Sequence, residues 1–76
     1  MEKTVDFAIF GDNILFLRRL AGMGRVRFSR LLTISVGELR AIEQKREDAR
    51  ISIAMLSRLR LLLGETAQYL FLCRFE

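Results

Sequence analysis

Two short amphipathic segments flank a three-residue gap, Thr33-Ile34-Ser35, in the middle of the chain. The first begins near Arg25 and has its apolar positions at Val26, Phe28, Leu31 and Leu32. The second begins at Ser35, which can form a capping box with Glu38 three residues later, a pattern typical of helix starts. Its core side consists of Val36, Leu39 and Ile42. The sequence therefore predicts two short helices joined by a tight turn.

Longer helices are predicted on both sides of this pair. Before it, Asp12 or Asn13 can cap a helix that ends near Gly22. The apolar face of that helix is Ile14, Leu17 and Leu20 or Ala21. After the pair, a polar loop leads to a last helix over about 51–63, with Gly64 as its C-cap. The inward positions of the last helix are predicted to be Ile53, Leu56, Leu59 and Leu63.

The two ends of the chain have the pattern of short strands. In residues 4–10, Val5, Phe7 and Ile9 alternate with other residues, which is the period of a half-buried strand. Residues 68–75 are apolar on both faces up to Arg74 and predict a second strand. We expect this second strand to pair with the first or with another copy of the chain.

A chain of 76 residues buries only about 60% of the surface that its unfolded form exposes, so it forms at most one domain. The prediction is a single all-α domain over 1–76, of four to five helices, with a helical core at 11–64 and short strands at its ends. Apolar residues make up 51% of the chain, a high share that predicts a homodimer. The predicted dimer interface is the C-terminal strand, through Tyr69, Phe71, Cys73 and Phe75.

Residues essential to several classes of protein are missing from the sequence. Cys73 is the only cysteine and there is no histidine, so disulfide, metal and redox sites lack their ligands. No paired carboxylates or glycine-rich phosphate loop indicate an enzyme, and no cofactor is expected. The sequence has neither the pattern of a signal peptide nor an apolar stretch of about 18 residues. We therefore expect a cytoplasmic protein without enzymatic activity and without a membrane partner.

The net charge of +4 is unevenly distributed. Between Arg18 and Arg60 there are eleven basic and four acidic residues, a net charge of +7. Eleven of the thirteen basic residues in the chain are arginines, whose planar guanidinium groups bind phosphate in a bidentate manner. A phosphate-containing partner accounts for this excess, and a solvated basic face accounts for it equally well.

Two short helices joined by a tight turn, the second with a capped and partly exposed first turn, can place a helix in the major groove of DNA. Over 14–64, about two thirds of the chain, the sequence resembles the lambda-repressor-like, Cro-type helix-turn-helix family. Residues 14–19 stand where the family's first helix ends in arginine, and residues 25–43 match the two motif helices without a gap. The resemblance implies a bacterial or phage regulator whose helix 35–45 enters the major groove.

The resemblance also implies roles inside the helical core. The family's core positions are occupied by Phe28, Leu32, Leu39 and Ile42. Ser29 takes the small-residue position where the two helices cross, and Thr33 stands where the family's turn has a left-handed glycine. Arg18 and Glu43 stand where the family has an ion pair that joins the first helix to the end of the recognition helix. We expect this pair to be structural.

Five basic residues are implied to contact the DNA backbone. Arg25 lies in the first turn of the second helix, where the family holds a glutamine against a phosphate, and Arg27 is expected to assist it. Lys45 and Arg46 lie just beyond the recognition helix, where the family makes further backbone contacts, and Arg50 follows in the loop. The alternative for the last three is an ordinary solvated loop.

The base-reading face implied by the resemblance comprises Val36, Gly37, Glu38, Arg40 and Ala41. In the family these positions usually carry polar side chains, but Val36, Gly37 and Ala41 offer none. Val36 or Ala41 is expected to contact a thymine methyl group. Arg40 is expected to reach a guanine or a phosphate, and Glu38 a cytosine. Specific reading of DNA would therefore depend on few contacts.

Two functional hypotheses follow. The leading one is a nucleoid-associated, homodimeric regulator of transcription that binds double-stranded DNA in a sequence-specific manner. The alternative is a protein-interaction module on the same fold, such as an antirepressor or the toxin-binding part of an antitoxin. The apolar segment around Phe71 and the few polar groups on the reading face favour this alternative.

Overall fold

Four α-helices and a short 3₁₀ helix form the part of the chain that the computed structural model describes, residues 6–75. Their bounds are α1 Phe7–Leu20, α2 Arg25–Leu32, α3 Val36–Glu43, α4 Ile53–Leu63 and the 3₁₀ helix Gly64–Tyr69. The predicted all-helical character is confirmed, and α2 begins at the predicted residue. None of the described helices is long and apolar enough to cross a membrane.

The predicted N-terminal strand is wrong for residues 6–10, because α1 begins at Phe7. The Asp6 carboxylate accepts hydrogen bonds from the backbone N–H groups of Ala8 and Ile9, at 3.0 and 3.2 Å. Asp6 is therefore the N-cap of α1, and the predicted cap at Asp12 or Asn13 is wrong as well. Residues 4 and 5 of the predicted strand lie outside the described residues.

The predicted C-terminal strand is also wrong. The chain continues from α4 into the 3₁₀ helix and then turns, with the Cys73 N–H donating to the Tyr69 carbonyl at 3.3 Å. The Asn13 side-chain amide donates to the carbonyl oxygens of Leu70 and Cys73, both at 2.9 Å. Asn13 thus satisfies backbone groups that a strand would pair with a neighbouring strand.

The core lies between the helices and receives side chains from all four of them and from the C-terminal segment. Its buried members are Phe10, Ile14, Phe28, Leu32, Leu39, Ile42, Met55, Leu59 and Leu70. The ring of Phe71 stacks on Phe10 with 4.5 Å between the ring centroids. This stacking places the end of the chain against the first helix.

The predicted inward face of α4 is wrong in part. Met55 and Leu59 are the buried residues of this helix, whereas Ile53 is 82% exposed and Leu56 is 38% exposed. Apolar residues occur on several sides of α4, so their spacing does not identify a single inward face. The predicted C-cap at Gly64 is confirmed.

Candidate functional site

The turn between α2 and α3 depends on Thr33, which ends α2 in the left-handed conformation with φ 61° and ψ 39°. The backbone N–H groups of Thr33 and Ile34 donate to the carbonyls of Arg30 and Ser29, at 3.1 and 3.0 Å. Ser29 is buried beneath the turn, and its hydroxyl donates to the Val26 carbonyl at 2.8 Å. The chain therefore passes from α2 to α3 through only three residues, as the sequence predicted.

The amino end of α3 is fixed by a complete capping box. The Ser35 hydroxyl accepts from the Glu38 N–H at 3.0 Å, and the Glu38 carboxylate accepts from the Ser35 N–H at 2.8 Å. Ser35, Gly37 and Glu38 are exposed, whereas Leu39 and Ile42 are buried. Helix α3 is thus held by its carboxyl half and presents its amino end to solvent.

Glu43, at the end of α3, joins three helices through two arginines. Its side chain is 2% exposed and accepts from Arg18 Nε and Nη2, at 2.6 and 3.0 Å, and from Arg25 Nε at 2.9 Å. The hydrogen bonds to Glu43 raise the pKa of Arg18 above its ordinary value. Arg18 and Glu43 form the ion pair that the resemblance implied, and Arg25 extends it to a triad.

The triad fixes the position of Arg25 without using all of its donors. Nε binds Glu43, and the side chain remains 36% exposed. A guanidinium carries five N–H donors, of which four belong to the two Nη groups. These Nη groups form no hydrogen bond within residues 6–75. They are therefore free to bind an anion at the start of α2.

The other basic residues implied to bind the DNA backbone divide into two groups. Lys45 pairs with Asp12 at 2.9 Å, and Arg46 pairs with Asp48 at 3.0 Å. Arg27 and Arg50 are exposed and form no ion pair in the described part of the chain. An anion would have to compete with internal carboxylates for Lys45 and Arg46 but not for the two exposed arginines.

Only part of the predicted reading face is open to solvent. Val36 and Ala41 are half-buried, whereas Gly37, Glu38 and Arg40 are exposed. Gly37 has no side chain, and the Glu38 carboxylate is already bound within the capping box. The guanidinium of Arg40 has no partner among the described residues. Arg40 is therefore the residue of this face best able to bond a base edge.

The four residues of the predicted dimer interface do not form one exposed surface. Phe71 and Phe75 pack against the core of their own chain, whereas Tyr69 and Cys73 are exposed. Residues 68–75 do not form a strand, so the predicted strand pairing is wrong, whereas a dimer interface through these four residues stays a prediction.

Two polar residues of α1 have roles that the sequence analysis did not assign. Asp12 accepts from Lys45 at 2.9 Å and from Arg74 at 2.8 Å, which connects α1 to the loop after α3 and to the C-terminal segment. Asn13 is 1% exposed and binds the same C-terminal segment. The sequence did show two adjacent polar residues, Asp12 and Asn13, beside apolar ones. The same pattern is typical of a helix N-cap, which is how the sequence analysis interpreted it.

No significant match to this chain was found among protein-family models, curated proteins or solved structures. What the chain does is therefore inferred from the arrangement of α2, α3 and their charged side chains.

Proposed function

We propose that the protein is a sequence-specific, DNA-binding regulator of transcription that acts as a homodimer and inserts the amino end of α3 into the major groove. The observation that carries this proposal is the exposed, capped amino end of α3, held by a buried carboxyl half on a three-residue turn. A helix must protrude by its first turns to reach base edges, and it must be rigidly fixed to read them.

The amino end of α2 supports the proposal because it suits a phosphate. Its N-cap is Gly24, which makes no side-chain capping bond, and no acidic residue lies in the first turn. The free N–H groups of a helix start attract an anion. Arg25, held by Glu43, and the exposed Arg27 add guanidinium groups beside them. Contacts of this kind position a protein on the duplex without reading its sequence.

The first experiment is selection of bound fragments from genomic DNA, followed by titration of the selected fragment and of an unrelated fragment. The proposal expects tighter binding of the selected fragment, because base contacts add to phosphate contacts. The affinity for both fragments should fall steeply as salt increases, since bound cations release counterions from DNA. Equal affinity for the two fragments, or an affinity that does not depend on salt, would contradict the proposal.

Arg40→Ala tests the reading face directly. Loss of one base contact is expected to reduce the preference for the selected fragment by roughly 10- to 100-fold, as about 1–3 kcal/mol is typical for such a contact. The matched control is Arg58→Ala, which removes the same charge from an exposed position of α4. An equal loss in both variants would show that net charge, and not the exposed face of α3, governs recognition.

Arg27→Ala tests the phosphate contact at α2. The slope of log affinity against log salt is expected to decrease by about one unit while the preference between fragments stays constant. Arg27 is exposed and makes no ion pair within residues 6–75, so this change leaves the triad intact. Arg25→Ala should decrease the slope in the same way, but it also removes one partner of Glu43.

A protein-interaction module, of the antirepressor or antitoxin type, is the second candidate. It is favoured by the reading face, where Arg40 alone has a free polar side chain among the five predicted residues. Under this hypothesis no genomic fragment is enriched, and Arg40→Ala reduces the weak binding that any basic protein shows toward DNA no more than Arg58→Ala does.

A further inference from the structure

Helix α4 and the 3₁₀ helix enclose an open groove of about 890 Å³ that no other described part of the chain fills. Met55 and Leu59 point from α4 into the core, and the groove is lined instead by Ile53, Leu56 and Leu61. Ile53 is 82% exposed and Leu61 is 78% exposed. A cluster of apolar side chains this exposed is uncommon on a monomer and usually marks a surface that another molecule covers.

The charges of the groove indicate which molecule that is. Arg60 and Glu65 also line it, both are exposed, and neither has a partner among the described residues. In a two-fold symmetric contact the same surface serves both partners, so it must present both members of any ion pair that crosses the interface. A groove with one unpaired cation and one unpaired anion meets this requirement and is complementary to itself.

We propose that this groove is the contact surface for a second copy of the chain. Ile53, Leu56 and Leu61 pack against their counterparts, and Arg60 of each protomer faces the partner's Glu65. This inference rests on the homodimer of the proposed function, for which it names the contact surface, and it does not depend on DNA binding. It replaces the predicted C-terminal interface, where Phe71 and Phe75 are used by the protein's own core.

Leu61→Glu tests the apolar part of the surface by sedimentation equilibrium over a range of protein concentrations. The wild type is expected to be a dimer, and the variant to dissociate with a Kd at least about 100-fold higher, because each change occurs twice in a symmetric interface. Leu61 is exposed, so the variant should retain its fold, which circular dichroism checks. The matched control is Leu20→Glu, at the 71% exposed end of α1, and it should remain a dimer.

A charge exchange tests the pairing. Arg60→Glu and Glu65→Arg should each weaken the dimer by roughly tenfold, since each places like charges opposite one another at two symmetric sites. The double variant Arg60→Glu with Glu65→Arg should restore the wild-type Kd. A monomeric wild type, or a Leu61→Glu variant as dimeric as the wild type, would overturn the proposal. Sedimentation equilibrium measures the mass of the protein in the absence of DNA. Either result therefore concerns the dimer alone and does not decide whether the protein binds DNA.

Discussion

At the scale of single residues, Thr33 carries the least favourable backbone conformation of the turn. Its φ of 61° lies in the left-handed region, which glycine adopts readily and β-branched residues rarely do. The conformation persists because the N–H groups of Thr33 and Ile34 donate to carbonyls of α2. The next residue after Ile34 is Ser35, which is fixed as the N-cap of α3. The turn is therefore held by its surroundings and not by the preference of its own residue.

Thr33→Gly is expected to stabilise the protein by about 0.5–1 kcal/mol. Removal of the left-handed strain contributes about 1–2 kcal/mol, and the greater freedom of glycine in the unfolded chain offsets part of this gain. Urea unfolding followed by circular dichroism measures the difference. The control is Thr66→Gly in the 3₁₀ helix, where φ is not positive and the same change should destabilise. Destabilisation in both variants would show that Thr33 is not strained.

Gly11 lies where α1 packs closely against the end of α3. A Cβ atom at this position would overlap the Ile42 carbonyl oxygen and lie 2.9 Å from Lys45 Cγ. The overlap with backbone cannot be relieved by a side-chain rotation. Glycine inside α1 is less favourable for the helix than alanine by about 1 kcal/mol. The lack of room for a Cβ atom explains why glycine nevertheless stands at this position.

Gly11→Ala is accordingly expected to destabilise the protein by about 2 kcal/mol or more, because α1 and α3 must move apart. Gly37→Ala is the matched control, since a Cβ there would meet only Ser35 Oγ at 3.9 Å. The control should stabilise by about 0.5 kcal/mol through helix propensity. Thermal unfolding of the two variants compares them, and a Gly11→Ala variant as stable as the wild type would contradict the close packing.

At the scale of the elements, the backbone of the C-terminal segment is hydrogen-bonded to α1 through the buried side chain of Asn13. Asn13 donates to the carbonyls of Leu70 and Cys73, and its carbonyl accepts from the Phe75 N–H at 2.9 Å. These bonds satisfy backbone groups that neither a helix nor a sheet satisfies in this segment. The conformation of the last residues therefore depends on a side chain from the first helix.

Asn13→Ala should destabilise the protein by about 2–4 kcal/mol, because it leaves buried backbone groups without partners. It should also accelerate hydrogen exchange at the Phe75 N–H, which reports the segment itself. Gln68→Ala is the control, because the Gln68 amide is exposed and makes no hydrogen bond in the described chain. This change should alter the free energy of unfolding by less than about 0.5 kcal/mol. Unchanged exchange at Phe75 in Asn13→Ala would refute the attachment.

At the scale of the whole molecule, Asp12 connects α1 with the loop after α3 and with the C-terminal segment. The hydrogen bond from Lys45, followed by that from Arg74, lowers the pKa of Asp12 from its ordinary value of 3.8. A carboxyl group with a lowered pKa stabilises the folded state above its unfolded pKa and loses this effect as pH falls through the folded value. The contribution of Asp12 is thus complete at neutral pH and disappears in acid.

Asp12→Asn is expected to lower the free energy of unfolding at about pH 7. Its effect should decrease as pH falls below the ordinary pKa of 3.8 and disappear once pH has passed through the lowered pKa of the folded protein, where the wild-type carboxyl is protonated. Urea unfolding of wild type and variant from pH 2 to pH 7 measures the difference. Asp48→Asn removes an exposed local pair with Arg46 and should have a smaller effect at pH 7. A difference between wild type and Asp12→Asn that is constant over the whole pH range would contradict the assignment.

The predictable part of the fold consists of features that depend on neighbours in sequence. The start of α2, the capping box of Ser35 and Glu38, and the C-cap at Gly64 all follow from residues a few positions apart. The ion pair between Arg18 and Glu43 was implied by resemblance, although the participation of Arg25 was not. The sequence thus predicted which residues form the candidate site. It did not predict that Arg25, Lys45 and Arg46 pair with carboxylates of the same chain.

Local sequence encodes where α2 and α3 begin and how α3 is capped, because capping bonds join residues within one turn of helix. The face that α4 buries and the conformation of residues 68–75 depend instead on packing between parts of the chain that are distant in sequence. The apolar side chains of α4 point to several sides of the helix, and packing against the rest of the chain determines that Met55 and Leu59 are the buried ones. The C-terminal segment is held by hydrogen bonds from Asn13, which lies 57 residues before Leu70 in the chain. No local sequence pattern encodes such a contact.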